Sequence, residues 1–300
     1  EILTELCNTI FNSILLHRIK DFHEEVRTIA VQYVLEYIRF DLKRTIHVEY
    51  LKYLGWACSD YANSVRLEAI RGIHSLAGDG EVVAYLCSFV EVFVDRFIEI
   101  ASQDVDDHVA LEMVRTLRVM QSAGLLDTIS EEKLDVVDAV VFDTDAPLRV
   151  RQEALAFLMD HTEGFDEDPE AADADNLPDI GSRTKGAKGK ASAQRQTDQA
   201  KALERRQKAA QQLETLTEYA EHHLGASLDR AYMLGEACVA LHKYGTVYNW
   251  STIVALLLRE SDDLISSALR PVQAAILLRM FVHCATDLNA RRLALAEASA

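Results

Sequence analysis

The sequence predicts an all-α chain built as a HEAT-repeat-like α-solenoid of stacked antiparallel helix pairs, and three observations carry that prediction. Apolar residues recur at helical spacing through most of the 300 residues. Only 12 Gly and 4 Pro are present, too few turn formers for an all-β reading. A short register also repeats: Asp21, Asp60, Asp104 and Asp145 each stand five residues before Val26, Val65, Val109 and Val150. Those valines are separated by 39, 44 and 41 residues. This is near the roughly 40 to 47 residues of HEAT-type helical repeats.

More than two letters recur. Arg27, Arg66 and Arg151 follow their valines, with Ala110 as the exception, and Ala30, Ala69 and Ala154 come four residues after, with Met113 as the exception. The aspartate is placed to cap the second helix of each pair by accepting from free backbone N–H groups. The alanine lets neighbouring helices approach closely.

The elements follow in order. Residues 3–17 (LTELCNTIFNSILLH) form an amphipathic helix, ended by a polar break at Arg18–Asp21. A helix over 22–40 places Val26, Ile29, Ala30, Tyr33, Val34, Tyr37 and Ile38 on one stripe. Residues 46–59 and 64–77 make the next pair around Asp60, closed by Gly78–Gly80. Helices over 82–101, 106–123, 131–141 and 147–160 complete the series, with Pro147 in a first helical turn.

Beyond His161 the composition changes. Residues 163–175 (EGFDEDPEAADAD) hold seven acids and no base, and residues 181–192 (GSRTKGAKGKAS) are small and basic. So few apolar residues cannot offset the entropy of ordering, so 163–197 is expected to be a disordered insertion. The organisation expected is thus 1–162 repeats, 163–197 insertion and 198–300 further helices continuing the solenoid. The later helices are placed from Asp198 and over 227–243, 249–260 and 264–286. The first residue, Glu1, lies in a helical pattern, and the run LNARRLALAEASA closes in one, which reads as a fragment of a longer protein.

A net charge of −17 argues against non-specific nucleic-acid binding by the chain as a whole. The five cysteines, Cys7, Cys58, Cys87, Cys238 and Cys284, are widely spaced and odd in number, which suits a reducing compartment better than a disulfide framework. No apolar run reaches the roughly 18 residues of a membrane span.

Chemical motifs fare poorly. Gly181 and Gly186 have the spacing of a phosphate loop, but Ala187 stands where its lysine belongs and no strand precedes it. Cys238 and His242 share a helical face and His222 and His223 adjoin, yet no second ligand pair completes a zinc site, so no metal and no cofactor is expected. Asp106 and Asp107 open a helix, where capping and the dipole explain them. No arrangement of Ser, His or acids marks a catalytic centre, and no enzyme is expected. Lys185, Lys188 and Lys190, with Arg183 before and Arg205, Arg206 and Lys208 after, are candidate DNA or nuclear-localisation contacts, or else a solvated linker.

One surface stands out. Trp56 ends the first helix of its pair, and Arg96 and Phe97 lie late in the first helix of the following pair. Stacking brings equivalent positions side by side, which would join Trp56, Arg96 and Phe97, with Lys52 one turn behind Trp56. Two outcomes stay open: an aromatic-basic binding patch, or rings packed between repeats.

The same stretch, EYLKYLGWACSDYANSVRLEAIRGIHSL, resembles the stromalin conserved domain of the STAG family of cohesin subunits. The resemblance rests on Tyr50, Leu51, Lys52, Tyr53, Gly55, Trp56, Val65, Arg66 and Leu67. Upstream it includes His17, Arg18, Asp21 and Arg27, and downstream Phe93, Arg96 and Phe97. It extends with clear motifs over about residues 11–160.

The resemblance implies a non-catalytic cohesin subunit that binds the kleisin subunit and SMC ring and recruits regulators to chromatin in the nucleus. It also implies that Trp56, Arg96 and Phe97, with Lys52, receive aromatic peptide motifs of Wapl-type, shugoshin-type or CTCF-like partners. Contact with chromatin DNA through Lys20, Arg27, Lys43, Arg44 and Lys52 is a further expectation. Ile19 replaces a family aromatic, and Val48 and Glu49 displace an acid, so ligand preference is expected to differ. The rival reading is a generic HEAT scaffold or adaptor of transport or phosphatase type, unrelated to cohesin.

Overall fold

The computed structural model describes residues 2–40, 42–45, 48–161, 192–225, 228–238, 250–258 and 269–298. Among these, all regular structure is helical. The chain divides into two compact units, Glu1–His161 and Thr162–Ala300.

In the first unit, α1 (Ile2–Ile10) passes through a π-helical turn, Phe11–Leu15, into α2 (Leu16–Arg18). The π turn carries Phe11, which is buried and stacks on Tyr37 at 4.5 Å. There follow α3 (Glu24–Phe40), α4 (Leu42–Thr45), α5 (Val48–Ala57) and α6 (Asn63–Ala77). Next come α7 (Val83–Gln103) and α8 (Asp107–Ser122), then α9 (Glu131–Asp138) with a 3₁₀ extension Ala139–Phe142, and α10 (Leu148–His161).

The second helices of successive pairs form one layer, α3 on α6, α6 on α8 and α8 on α10. The first helices form the other, α5 on α7 and α7 on α9. The repeated alanines serve this stacking: Ala30, Ala69 and Ala154 are buried, and Met113 fills the remaining place. Gly72 does the same for α6, since a Cβ there would lie 3.3 Å from Leu35 of α3.

The repeated aspartates do not cap the second helices, contrary to the sequence expectation. Asp21 accepts from the His23 N–H, Asp60 from Ala62 and Asp104 from Asp106, so each closes a turn two residues on. In the fourth turn the acceptor is Asp143, bonded by the Asp145 N–H, not Asp145 itself. The capping of α8 falls to Asp106, which accepts from the N–H groups of His108 and Val109. Its carboxyl is held below the usual carboxylate range, first by Asn63 and then by those backbone bonds. Pro147 stands just before α10, where its carbonyl accepts from Val150 and Arg151.

The larger role of these aspartates lies between repeats. Arg27 donates from Nε and Nη2 to Asp60 of the next repeat, at 2.7 and 2.8 Å, and from Nη1 to the carbonyls of Asp21 and Phe22. Arg66 does the same one repeat later, to Asp104 at 2.8 and 2.7 Å and to the carbonyls of Asp60 and Tyr61. Both arginines are buried. Asp60 raises the pKa of Arg27 further above its ordinary value. Where Ala110 interrupts the series, Arg118 of α8 takes over, pairing with Glu153 and Asp160 of α10.

In the second unit, α11 (Ser192–Leu224) packs on α13 (Trp250–Leu258) and α14 (Pro271–Ala298). Between α11 and α13 lie a 3₁₀ turn, Leu228–Ala231, and α12 (Tyr232–Cys238), which packs on α14. Leu213, Leu234, Ile276, Leu277 and Met280 are among its buried residues. Helix α11 starts at Ser192, ahead of the expected Asp198, so 192–197 are helical. The rest of the expected insertion, with Lys185, Lys188 and Lys190, lies outside the described residues.

Removing one partner of a buried, forked pair strands the other charge. Arg66→Ala should therefore destabilise the first unit by about 3–5 kcal/mol in denaturant unfolding. Arg66→Lys, which keeps the charge and loses the fork, should recover only part of that.

Candidate functional site

Helix α5 divides its residues by face. Leu51, Leu54 and Cys58 are fully buried, at helical spacing, against the interior. Burial pushes the Cys58 thiol up to about 12. Lys52 and Tyr53 are half-buried on the other face, and Trp56 is 51% exposed. Lys52 Nζ lies 5.6 Å from the centre of the Trp56 ring and 5.3 Å from that of Tyr53. The two rings meet edge to face at 5.4 Å. Tyr53 continues inward to Phe11, which also contacts Tyr50 and Tyr37, so the exposed tryptophan is fixed by an aromatic cluster.

Gly55 brings α7 against this helix. An added Cβ would lie 2.5 Å from the Phe93 ring, closer than real Cβ atoms come. Glycine is required here by proximity, because a methyl group would push Phe93 and with it α7 outward.

Arg96 of α7 reaches the same edge. Its Nη2 lies 3.4 Å from the Cys58 carbonyl, two residues beyond Trp56, and its Nη1 pairs with Glu99 at 2.7 Å. Its Nε–H is buried and has no acceptor among the described residues. The structure therefore brings Lys52 against Trp56, and sets Arg96 beside the turn that follows them.

Phe97 is different. It is fully buried, with ring contacts to Phe89 at 5.9 Å and Phe93 at 6.3 Å. It belongs to the interior of α7 and is not the exposed second wall of an aromatic slot. The next residue of a helix lies about 100° away, so adjacency to Arg96 in sequence puts Phe97 on another face. Tyr53 and Phe93, both half-buried, supply the rings nearer the surface instead; the sequence reading named them as motif residues but did not place them at the site. The signal for Tyr53 was its place one helical turn before Trp56.

A cavity of about 240 Å³ opens next to Arg96, lined also by Arg66, Glu99, Gln103, Asp104 and Val105. Of the residues suggested for DNA contact, Arg27 is consumed in its buried clamp and is not available to phosphates. Lys20 is exposed and Lys52 half-exposed. The side chains of Lys43 and Arg44 are outside the described set. Cys238, paired with His242 in the sequence reading, is buried against Met280 at 3.9 Å, and His242 lies outside the described residues. Among the described residues no group of three or more His, Cys, Asp or Glu could hold a metal, and no helix is long and apolar enough to cross a membrane.

Two layers of helices stacked at a near-constant repeat define the protein, first, as an α-solenoid of the helical-repeat class. The solved structure of cohesin subunit Scc3 from Z. rouxii superposes with a TM-score of 0.61 over 94% of this chain and 31% of that one, at 18% identity, a likeness of fold. The Stromalin conservative domain family matches residues 20–94. Cohesin subunit psc3 of Schizosaccharomyces pombe is 28% identical over 156 residues, which is 52% of this chain and 16% of that protein. Cohesin subunit SA-1 of Xenopus laevis is 28% identical over 173 residues, 57% of this chain and 13% of that one. The chain thus spans a small part of the length of these relatives. Residues 20–94 thus match the stromalin conservative domain, and the chain is similar over about half its length to cohesin subunits.

Burial separates the two aromatics suggested by the sequence. Phe97→Ala should cost about 3–5 kcal/mol by opening an interior cavity, whereas Trp56→Ala should cost about 1 kcal/mol or less. Thermal or denaturant unfolding of the two variants checks the difference.

Proposed function

We propose that the protein is a non-catalytic subunit of a cohesin complex. In this reading it binds the kleisin that closes the SMC ring and uses the surface at Trp56, Lys52 and Arg96 to dock regulators on chromatin in the nucleus. The observation that carries it is an exposed tryptophan within the stromalin conservative domain, held by a lysine and a buried aromatic cluster. Exposed Trp and Arg are the residue types that anchor protein interfaces. A large ring left half in water gains most when a partner covers it.

The chemistry suits a peptide with an aromatic anchor. Tyr53 and Trp56 offer ring edges and faces, Lys52 a cation above them, and Arg96 a partly exposed guanidinium beside them. Wapl-type, shugoshin-type and CTCF-like regulators are partners of this kind. Contact with chromatin DNA falls to Lys20 and Lys52 and to the stretch with Lys185, Lys188 and Lys190, against a net charge of −17. It should weaken steeply with salt.

The test is titration of a fluorescent peptide carrying a Tyr-x-Phe motif. Trp56→Ala and Arg96→Ala should each lower affinity at least about tenfold while circular dichroism stays unchanged. Retained binding in both folded variants would remove this surface from the function. Failure of the full-length protein to co-purify with a cohesin kleisin would remove the reading altogether.

A further inference from the structure

The three junctions between successive repeats of the first unit are not built alike. At the first, Arg27 forks onto Asp60, and the Thr28 hydroxyl bonds that of Ser64 at 3.4 Å. At the second, Arg66 forks onto Asp104, and the Asn63 amide donates to Asp106. Both are therefore tied at the turns that open their second helices. At the third, between α8 and α10, the corresponding atoms are missing. Ala110 stands where the fork would begin, and Asp145, the aspartate in register with it, is exposed. Asp107, which has no amide to donate, takes the place of Asn63, and Pro147, with no side-chain acceptor, takes that of Asp106. Among the described residues no hydrogen bond or ion pair joins 104–110 to 143–149.

What ties the third junction lies at the other end of the helices. Arg118 of α8 donates from Nε to Asp160 at 2.7 Å and pairs through Nη1 with Glu153, and Arg115 lies 3.4 Å from Glu153. Arg118 stands eight residues beyond Ala110, about 12 Å along the helix axis. It replaces the missing pair in number but not in place. We propose that this junction is a hinge built into the fold. The turn 143–147 swings away from 104–106 about a pivot at Arg118, so the curvature of the first unit changes there while the two forked junctions stay closed. A clamp at one end of a helix pair fixes distance and leaves rotation about the clamp. Between the ends, α8 packs on α10 through apolar layers, with Met113, Leu117, Ala154 and Leu155 buried, and such packing is non-directional. Small pivoting of packed helices is a known mode of motion and keeps the hydrogen bonds within each helix. The inference is independent of the docking function above.

Hydrogen–deuterium exchange of the whole chain reads the hinge, because the turns offer matching amides. Ala62, Asp106 and Asp145 each donate to the aspartate two residues before, and Arg66, Ala110 and Arg151 each donate to the carbonyl four residues before. With intrinsic rates removed, amides over 145–151 should exchange at least about tenfold faster than those over 62–66 and 106–110. Amides over 153–159, inside α10, should stay as slow as those inside α8. Ala110→Arg supplies the missing donor opposite Asp145 and should slow 145–151 by a similar factor, and adding Asp145→Ala should return the wild-type rate. Asp104→Asn gives the converse without filling the interior. It keeps the turn acceptor, weakens the fork, and should raise exchange over 106–110 toward that of the fourth turn.

Equal protection of the three turns in wild type would overturn the inference. So would exchange over 153–159 as fast as over 145–151, since α10 would then be unfolding and not pivoting. A folded Ala110→Arg that leaves 145–151 unchanged would do the same.

Discussion

The arginine fork between successive turns is the constraint on which the first unit depends. A stack of helix pairs has apolar faces that could slide by a turn with little loss, since burial is non-directional. Arg27 and Arg66 remove that freedom, because four donors in a fixed plane must meet two carboxylate oxygens of one repeat and two carbonyls of another. Buried ion pairs often add little net stability over well-packed apolar residues. Their value here is in register, and the bonded carbonyls lie in turns that would otherwise leave them without partners.

That constraint also decides which cations face solvent. The arginines of the repeat signature are spent within the structure, which leaves Lys52 and Arg96 as the charges beside the exposed tryptophan. Gly55 sets the distance between the two helices that carry them. Changes in the surface from junction to junction then come from the residue after the clamping aspartate, a ring in one case and a valine in the next.

Much of the first unit was legible in the sequence, because helical periodicity and a register repeated four times are both local signals. Helix limits there agree to within a few residues. The meaning of the register was less legible. An aspartate before a helix reads as a cap, and only the stacked structure shows that its partner is an arginine one repeat away. Phe97 was misplaced for a related reason, since spacing between repeats puts residues at one level along a helix without fixing the face. Arg27 looked available to phosphates, and nothing local to it reveals that Asp60 lies within reach.

The measurement that bears most directly on this account is a double-mutant cycle on Arg27 and Asp60, with Arg27→Ala, Asp60→Ala and the pair compared by equilibrium unfolding of the first unit. A shared clamp predicts that the double variant loses less than the two single losses together, with a coupling of about 0.5–3 kcal/mol. Strict additivity would mean that the two residues act independently, and that something other than the fork holds neighbouring repeats in register.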